Sequence, residues 1–279
     1  MNAMSLLLFK VTLLCYLATT CAYLTHVASG RSVAEKIGRW LMRGTFALHC
    51  LTLAVRFFEA GYTPVANLHE SLSFFAWCIT GIFLLLDLRY GLAVLGAFLS
   101  PLALLLMVVG NVVAQQVTEL SPLLDSWWFP IHVGLAFLGN AVFAVAFIAG
   151  IMYLLQERML KSKRLSTLFF RLPSLDTLDN LNYRCLTWGF PLMTMGIVSG
   201  AAWAYSAWGS YWRWDPKEVW ALISWFVYAA LLHGRLAIGW RGRRAAILAI
   251  VGFLCLLFTF LGVNLLLSGL HSFETLSGR

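Results

Sequence analysis

Histidine is the residue type in this chain best suited to bind a metal ion, because a neutral imidazole coordinates iron, zinc or copper well. The sequence contains six histidines, namely His26, His49, His69, His132, His233 and His271. His132 stands at the start of an apolar run, directly after the interfacial pattern of residues 127–130, and His271 lies just beyond the last apolar run. At one membrane face, these two imidazoles could bind a single metal centre from opposite sides.

A tryptophan-rich connection, defined as residues 203–220 with the sequence WAYSAWGSYWRWDPKEVW, is the second feature with a chemical implication. Six of the 12 tryptophans of the chain fall between Trp203 and Trp225, whereas an ordinary interfacial belt spreads its aromatic residues over many helix ends. The connection predicts a flat aromatic platform for a large, planar, apolar ligand. Together with the two histidines it indicates a bis-histidine haem site, in which Arg213 and Lys217 could meet the haem propionates.

Part of this connection has a simpler explanation as the start of a helix. Asp215 is a good N-cap, Pro216 suits the first helical position and Glu218 falls at the third position, as in a capping box. The sequence therefore leaves two roles open for Asp215, a contact with the ligand and the capping of the next helix.

Depth in the membrane singles out His233. It lies 15 residues beyond Glu218, which is about 22 Å of helix at ~1.5 Å per residue and about two-thirds of a ~30 Å hydrocarbon core. An imidazole at that depth is costly unless it has a partner, so His233 is either a functional ligand or hydrogen bonded to a neighbouring helix. For His26 and His49 the sequence favours a structural role.

The elements that must position these residues are membrane-spanning helices. Of the 279 residues, 61% are hydrophobic and 11% are charged, whereas a soluble chain carries about a quarter charged residues. Apolar runs predict about eight spans, which lie at about 4–28, 39–58, 70–88, 91–110, 129–156, 186–206, 218–238 and 245–268. The predicted fold class is therefore an all-α, polytopic integral membrane bundle that forms a single transmembrane domain over residues 1–279.

The net charge of +8 has an uneven distribution that predicts a topology. Basic residues crowd alternate connections, most of all the loop of about 157–185, and the positive-inside rule makes those connections cytoplasmic. Both termini, the tryptophan-rich connection, His132 and His271 are then on the outer side. This placement indicates that the partner of the basic residues is the lipid bilayer. It does not indicate nucleic acid. Absence of acidic residues at mid-membrane disfavours an ion-coupled pump, and absence of CxxC pairs disfavours a thiol oxidoreductase.

The motif WGSYWRWDPKEVW at 208–220 resembles the signature of the WWD family of haem-handling proteins. Its ending WDPKE, followed by WALISWFVYAALLH, is similar to the CcsA/ResC branch, which serves System II cytochrome c biogenesis. Further similar segments are GYTPVANLHESLSFFAW at 61–77, PIHVGLAFLGNAVF at 130–143 and GVNLLLSGLHSF at 262–273. His69 departs from the pattern, because the family commonly has tyrosine there, and no ligand role is carried over to it.

The resemblance implies that haem b is the substrate, relayed across the membrane and held at the outer face for covalent attachment to the CxxCH segment of apocytochrome c. His132 and His271 match the two outer haem ligands of the family. His233 matches its membrane-embedded histidine, which binds haem in transit. The further site residues of the motif are Trp208, Trp212, Trp214, Arg213, Asp215 and Lys217.

The resemblance also implies partners and a location. A membrane subunit of the CcsB/ResB type would supply the ligand opposite His233, and apocytochrome c and a thioredoxin-like thiol reductant are the other expected partners. The chain would be one component of a holocytochrome c synthase (haem lyase) complex, in the bacterial inner membrane or the thylakoid membrane, with its functional face periplasmic or lumenal. Two alternatives stay open, a polytopic transporter of a lipid or small apolar substrate and a b-type haem electron-transfer subunit.

Overall fold

The computed structural model describes residues 3–113, 124–163 and 167–266, which form helices and no strand. The α-helices in these ranges are α1 (Ala3–Ser29), α2 (Ser32–Ala60), α3 (Leu68–Tyr90), α4 (Gly96–Val112), α5 (Trp128–Lys161), α6 (Thr167–Arg171), α7 (Leu175–Trp208), α8 (Pro216–His233), α9 (Arg243–Leu257) and α10 (Val263–Leu266). A 3₁₀ turn, Ala93–Leu95, precedes α4. Two π-helical turns, Gly234–Ile238 and Phe258–Gly262, follow α8 and α9.

Within those ranges, eight helices are long and apolar enough to cross a membrane. They coincide with the eight predicted spans, which confirms the all-α polytopic membrane fold. The largest differences are at α2 and α7, which begin at Ser32 and Leu175, well before the predicted starts at 39 and 186. Hydropathy detects only the apolar part of a helix, and the first turns of both helices carry charged residues. The segment 157–185, predicted as a solvated connection, is therefore helical over much of its described length.

The chain forms two compact units. Unit 1 comprises residues 1–117 and 155–175, and unit 2 comprises residues 118–154 and 176–279. Every predicted site residue that the structure describes belongs to unit 2, and His271 lies outside the described residues. The single transmembrane domain and the sidedness of the termini remain predictions.

A seam of buried polar side chains holds together α1, α2 and α3 in unit 1. The Tyr16 hydroxyl lies 3.0 Å from His49 Nδ1 and 2.8 Å from Thr80 Oγ1, and His49 Nε2 lies 3.0 Å from Ser73 Oγ. Hydrogen bonds in the pairs Thr12–Thr52 and Thr19–Thr45 extend the seam. Each bond of this kind between helices in a membrane stabilises by roughly 0.6–2 kcal/mol. His49 thus has the structural role that the sequence favours.

The loop before α3 is fixed by a buried ion pair. Arg56 of α2 places Nη2 2.6 Å and Nε 2.8 Å from Glu70 Oε1. Asn67 is the N-cap of α3 and accepts a hydrogen bond from the Glu70 backbone N–H at 2.9 Å, as the sequence predicts for this helix start. Burial and the nearby Glu70 carboxylate raise the pKa of Tyr62, which accepts a hydrogen bond from Arg56.

Glycines allow close helix packing in unit 2. A Cβ on Gly139 of α5 would lie 3.2 Å from a backbone nitrogen of α7, and a Cβ on Gly189 of α7 would lie 2.8 Å from the Phe143 ring. Phe143 stacks on Tyr228 of α8 with ring centroids 3.6 Å apart. Gly252 of α9 also packs against Tyr228, because a Cβ at this position would be 2.7 Å from the Tyr228 ring. Close approach through glycine is the usual packing device of membrane helices.

Removal of the Tyr16 hydroxyl tests the polar seam. Tyr16→Phe deletes two buried hydrogen bonds, so we expect it to lower the free energy of unfolding in detergent by about 1–3 kcal/mol. Tyr211→Phe is the matched control, because Tyr211 is exposed and its stacking with Tyr205 at 4.4 Å does not use the hydroxyl. Equal unfolding free energies of the two variants would contradict a stabilising seam.

Candidate functional site

The tryptophan-rich connection joins α7 to α8. Helix α7 ends at Trp208, and Gly209 follows with a φ of 72° in the left-handed region that suits glycine. The rings form edge-to-face contacts, with centroids 5.0 Å apart for Trp203 and Trp208 and 5.8 Å apart for Trp212 and Trp214. The predicted flat platform is therefore wrong in detail. The quadrupole of an aromatic ring favours such edge-to-face contacts over direct face-to-face stacking, and they leave the rings at different angles.

Trp214 has an unusual backbone conformation. Its φ of 59° is in the left-handed region, which costs a non-glycine residue about 1–3 kcal/mol unless its surroundings fix it. Glu218 provides that restraint, because its Oε2 accepts hydrogen bonds from the backbone N–H of Arg213 at 2.8 Å and of Asp215 at 3.2 Å. The Trp214 side chain is 71% exposed. The Glu218 carboxylate thus stabilises the strained backbone conformation that positions the exposed Trp214 indole.

The start of α8 confirms the predicted capping box. The Asp215 carboxylate accepts a hydrogen bond from the Lys217 backbone N–H at 3.0 Å, the Glu218 side chain returns to the Asp215 N–H, and Pro216 occupies the first turn. The Arg213 guanidinium donates to the Trp208 carbonyl at the end of α7. Asp215 therefore has a structural role. The predicted ligand contacts of Asp215, Arg213 and Lys217 remain predictions.

His132 lies in the first turns of α5 and contacts α7. Its Nδ1 lies 2.8 Å from the carbonyl oxygen of Gly196. A carbonyl only accepts, so Nδ1 carries the hydrogen and Nε2 carries the lone pair that can bind a metal. The ring is parallel to Trp203, at 11° with centroids 6.1 Å apart. The structure thus places His132 beside the tryptophan-rich connection, as predicted, in an orientation typical of a metal-binding histidine.

His233 is the last residue of α8 and is exposed. The exposed positions Ile223, Phe226, Ala230 and His233 recur at helical spacing, so they form one outward stripe of α8. The span continues to Ile238 through the π-helical turn. Among the residues that the structure describes, none is hydrogen bonded to the His233 ring. The alternative of a hydrogen bond to a neighbouring helix therefore has no support in this part of the chain.

A buried ion pair that involves the turn after His233 was not predicted from the sequence. Arg235 directs Nη1 and Nη2 to the two carboxylate oxygens of Asp179, both at 2.7 Å, and the Gly242 N–H donates to Asp179 Oδ1 at 2.8 Å. The guanidinium also lies 4.8 Å from the centre of the Tyr183 ring. This bidentate geometry fixes the turn after α8 to the start of α7. No local pattern links residues so far apart in sequence.

His271 lies outside the described residues, so its pairing with His132 stays a prediction. In the ranges that the structure covers, no group of three or more histidine, cysteine, aspartate or glutamate side chains could hold a metal ion. The described part of the site offers one imidazole, that of His132, beside an aromatic ring.

Residues 65–271 match the family model for cytochrome C assembly protein. The chain belongs to this family. The match includes His132, the whole tryptophan-rich connection, His233 and His271.

Curated relatives of this family member are named cytochrome c biogenesis protein CcsA. The protein of Guillardia theta is 38% identical over 257 residues, which cover 84% of this chain and 85% of the relative. The protein of Chlamydomonas reinhardtii is 41% identical over 254 residues, which cover 88% of this chain and 70% of the relative. The protein of Synechococcus elongatus is 40% identical over 266 residues, which cover 79% of this chain and 82% of the relative. The chain is thus a family member of the CcsA type.

A similar solved structure is the cytochrome c haem lyase CcmF. It superposes with a TM-score of 0.68 at 21% sequence identity, over 92% of this chain and 46% of the lyase. The chain therefore spans less than half of the lyase, and the two proteins share a fold over that part.

Replacement of Glu218 tests the restraint on Trp214. Glu218→Ala removes the carboxylate oxygen that accepts from both flanking N–H groups, so we expect Trp214 to lose its fixed orientation and the protein to lose about 1 kcal/mol of stability. Fluorine NMR of protein labelled with 5-fluorotryptophan measures this, with Trp214→Phe to assign the signal. Glu218→Gln is the control, because it keeps an acceptor oxygen. A Trp214 signal of unchanged shift and width in Glu218→Ala would contradict the restraint.

A second experiment tests the ion pair behind His233. Asp179→Leu leaves the buried Arg235 guanidinium without its carboxylate, so we expect a loss of about 3–5 kcal/mol in unfolding free energy. The double variant Asp179→Leu/Arg235→Met replaces both charges with apolar groups and should recover most of that loss. Chemical unfolding in detergent measures both. A double variant that is no more stable than Asp179→Leu would contradict the expected energetic coupling between Asp179 and Arg235.

Proposed function

We propose that the chain binds haem b as its substrate and presents it for covalent attachment to apocytochrome c. The observation that carries this proposal is the orientation of His132, whose Nδ1 donates to the Gly196 carbonyl. In the proposal, Nε2 is the atom that binds the haem iron. The tryptophan-rich connection supplies the aromatic surface beside it, because Trp203 contacts Trp208. The relatives named cytochrome c biogenesis proteins and the fold shared with a haem lyase support the same function.

In this proposal His132 and His271 bind the haem iron from opposite sides. Two imidazoles would complete the coordination of the iron, so the haem would stay low-spin, with no open coordination position, until apocytochrome c arrives. The histidine of the incoming CxxCH segment then replaces one imidazole, and each cysteine S–H adds across a haem vinyl group. The chain contributes proximity and orientation rather than an acid or a base. Trp212 and Trp214 would lie along the haem face, and Arg213, Asp215 and Lys217 near its edge.

His233 supports a second haem position, within the membrane. An imidazole on an outward apolar stripe is costly unless another surface covers it. A membrane subunit of the CcsB/ResB type that packs against this face of α8 would cover His233 and supply the opposite iron ligand. Haem would be held there before it reaches the site at His132.

The proposed location follows the charge distribution. The positive-inside rule puts the tryptophan-rich connection on the periplasmic or lumenal side of a bacterial inner membrane or a thylakoid membrane. Cysteines exposed to such a compartment oxidise, so a thioredoxin-like reductant would keep the CxxCH thiols reduced.

The b-type electron-transfer alternative is disfavoured by His49. Such a carrier needs histidine pairs within the span, and both ring nitrogens of this buried histidine are engaged by Tyr16 and Ser73. Among the described residues, His233 therefore has no second mid-span imidazole to form a haem-binding pair. No observation specifically favours a transporter.

The absorption spectrum of the chain purified with its partner tests the proposal. We expect a low-spin haem band in the wild type. In His132→Ala and in His271→Ala we expect at least about a tenfold loss of the haem held at the outer site, whereas haem held at His233 is retained. His26→Ala is the control, because His26 Nδ1 bonds the Arg31 carbonyl. Covalent haem on a co-expressed CxxCH reporter should fall in parallel. A colourless wild-type complex, or an unchanged band in His132→Ala, would contradict the proposal.

A further inference from the structure

We infer that α7 carries a preformed seat for the His132 imidazole, and that Gly200 is a positioning residue which this seat requires. The seat consists of Gly196, Gly200 and Trp203. Their spacing of four and three residues puts them on one face of α7. This inference rests on the proposed function, since it concerns how His132 is presented to haem iron.

Gly200 allows the ring to lie directly against the helix backbone. A Cβ at this position would be 2.7 Å from His132 Cε1, 2.8 Å from Nδ1 and 3.5 Å from Nε2. Real Cβ atoms do not approach other atoms closer than about 3 Å, so any other residue at 200 would push the imidazole out of its position. Gly200 is thus the one residue of the seat whose lack of a side chain is required.

Gly196 fixes the chemistry of the ring. Its carbonyl accepts from His132 Nδ1 at 2.8 Å and from Ser199 Oγ at 3.0 Å. The Nδ1 bond selects the tautomer with the lone pair on Nε2, and a histidine held in this way is a more basic metal ligand. The short distance between Nδ1 and this carbonyl depends on the close approach that Gly200 permits.

Trp203 connects the seat to the tryptophan-rich connection. Its indole is parallel to the His132 ring, is 2% exposed, and contacts both Phe129 and Trp208, at 5.5 Å and 5.0 Å between ring centroids. A shift of the imidazole would therefore be opposed by a buried aromatic cluster.

Gly200 has a different kind of neighbour from the other glycines at the contact between α5 and α7. Gly139 faces a backbone nitrogen of α7 at 3.2 Å, and Gly196 faces the Ala136 backbone at 3.4 Å, so these glycines bring two backbones together. Gly200 instead faces an imidazole. Its substitution should affect the ligand, whereas substitution of Gly139 should affect only packing.

The test compares Gly200→Ala with the control Gly139→Ala in the complete complex. We expect Gly200→Ala to lower the low-spin haem held at His132 by about 10–100-fold, and Gly139→Ala to retain it. In haem-free protein, ¹⁵N NMR of labelled histidines should show the Nδ1–H tautomer of His132 in the wild type and in Gly139→Ala, and its loss in Gly200→Ala. An Nδ1–H tautomer that persists in Gly200→Ala, or equal haem loss in both variants, would overturn the seat.

The NMR readout separates this inference from the proposed function. A tautomer lost only in Gly200→Ala, combined with no haem in any protein, would leave the seat intact and remove the haem assignment. Normal haem in the wild type, combined with an unchanged His132 tautomer in Gly200→Ala, would support the haem assignment and overturn the seat.

A chemical rescue keeps the inference testable if Gly200→Ala fails to fold. In His132→Gly, added imidazole can occupy the seat and donate to the Gly196 carbonyl, whereas 1-methylimidazole can bind iron but has no N–H to donate. We expect imidazole to restore the low-spin band at about 2–10-fold lower concentration than 1-methylimidazole. Equal rescue by the two compounds would overturn the role of the Gly196 carbonyl.

Discussion

Hydrocarbon offers no hydrogen-bond partner, and this constraint explains the polar contacts that join the helices within each unit. In unit 1 the Tyr16 hydroxyl and the His49 imidazole satisfy each other between helices. In unit 2 Arg235 and Asp179 do the same with opposite charges. His233 differs from these groups, since it lies on the outward stripe of α8 and no described residue is hydrogen bonded to its ring. An exposed imidazole within a span is costly in lipid, which marks His233 as a contact for something outside the chain.

Close approach is the second constraint, and unit 2 uses it for two purposes. Gly139 and Gly189 bring helices together and so provide packing energy that the hydrophobic effect cannot supply within a lipid. Gly200 uses the same lack of a side chain to admit an imidazole. One helix, α7, thus serves as a structural support along most of its length and as part of the site near its end.

Features encoded by local pattern were predictable from the sequence. Eight apolar runs define eight spans, and the residues Asp215 to Glu218 form the capping box that their order indicates. Features that depend on tertiary contact were not predictable. The ion pair of Asp179 and Arg235 joins residues far apart in the chain, and the aromatic rings adopt tilted contacts that no spacing specifies. The role of Gly200 becomes apparent only when His132 is known to lie against α7.

The buried pair of Arg235 and Asp179 also has a consequence for biosynthesis. The ribosome delivers Asp179 on α7 well before Arg235 at the end of α8, so the carboxylate must remain hydrated until its partner emerges. Helix α7 therefore gains this buried contact only after α8 and the turn to α9 have been made. A chain truncated after α7 would carry Asp179 without the guanidinium that pairs with it.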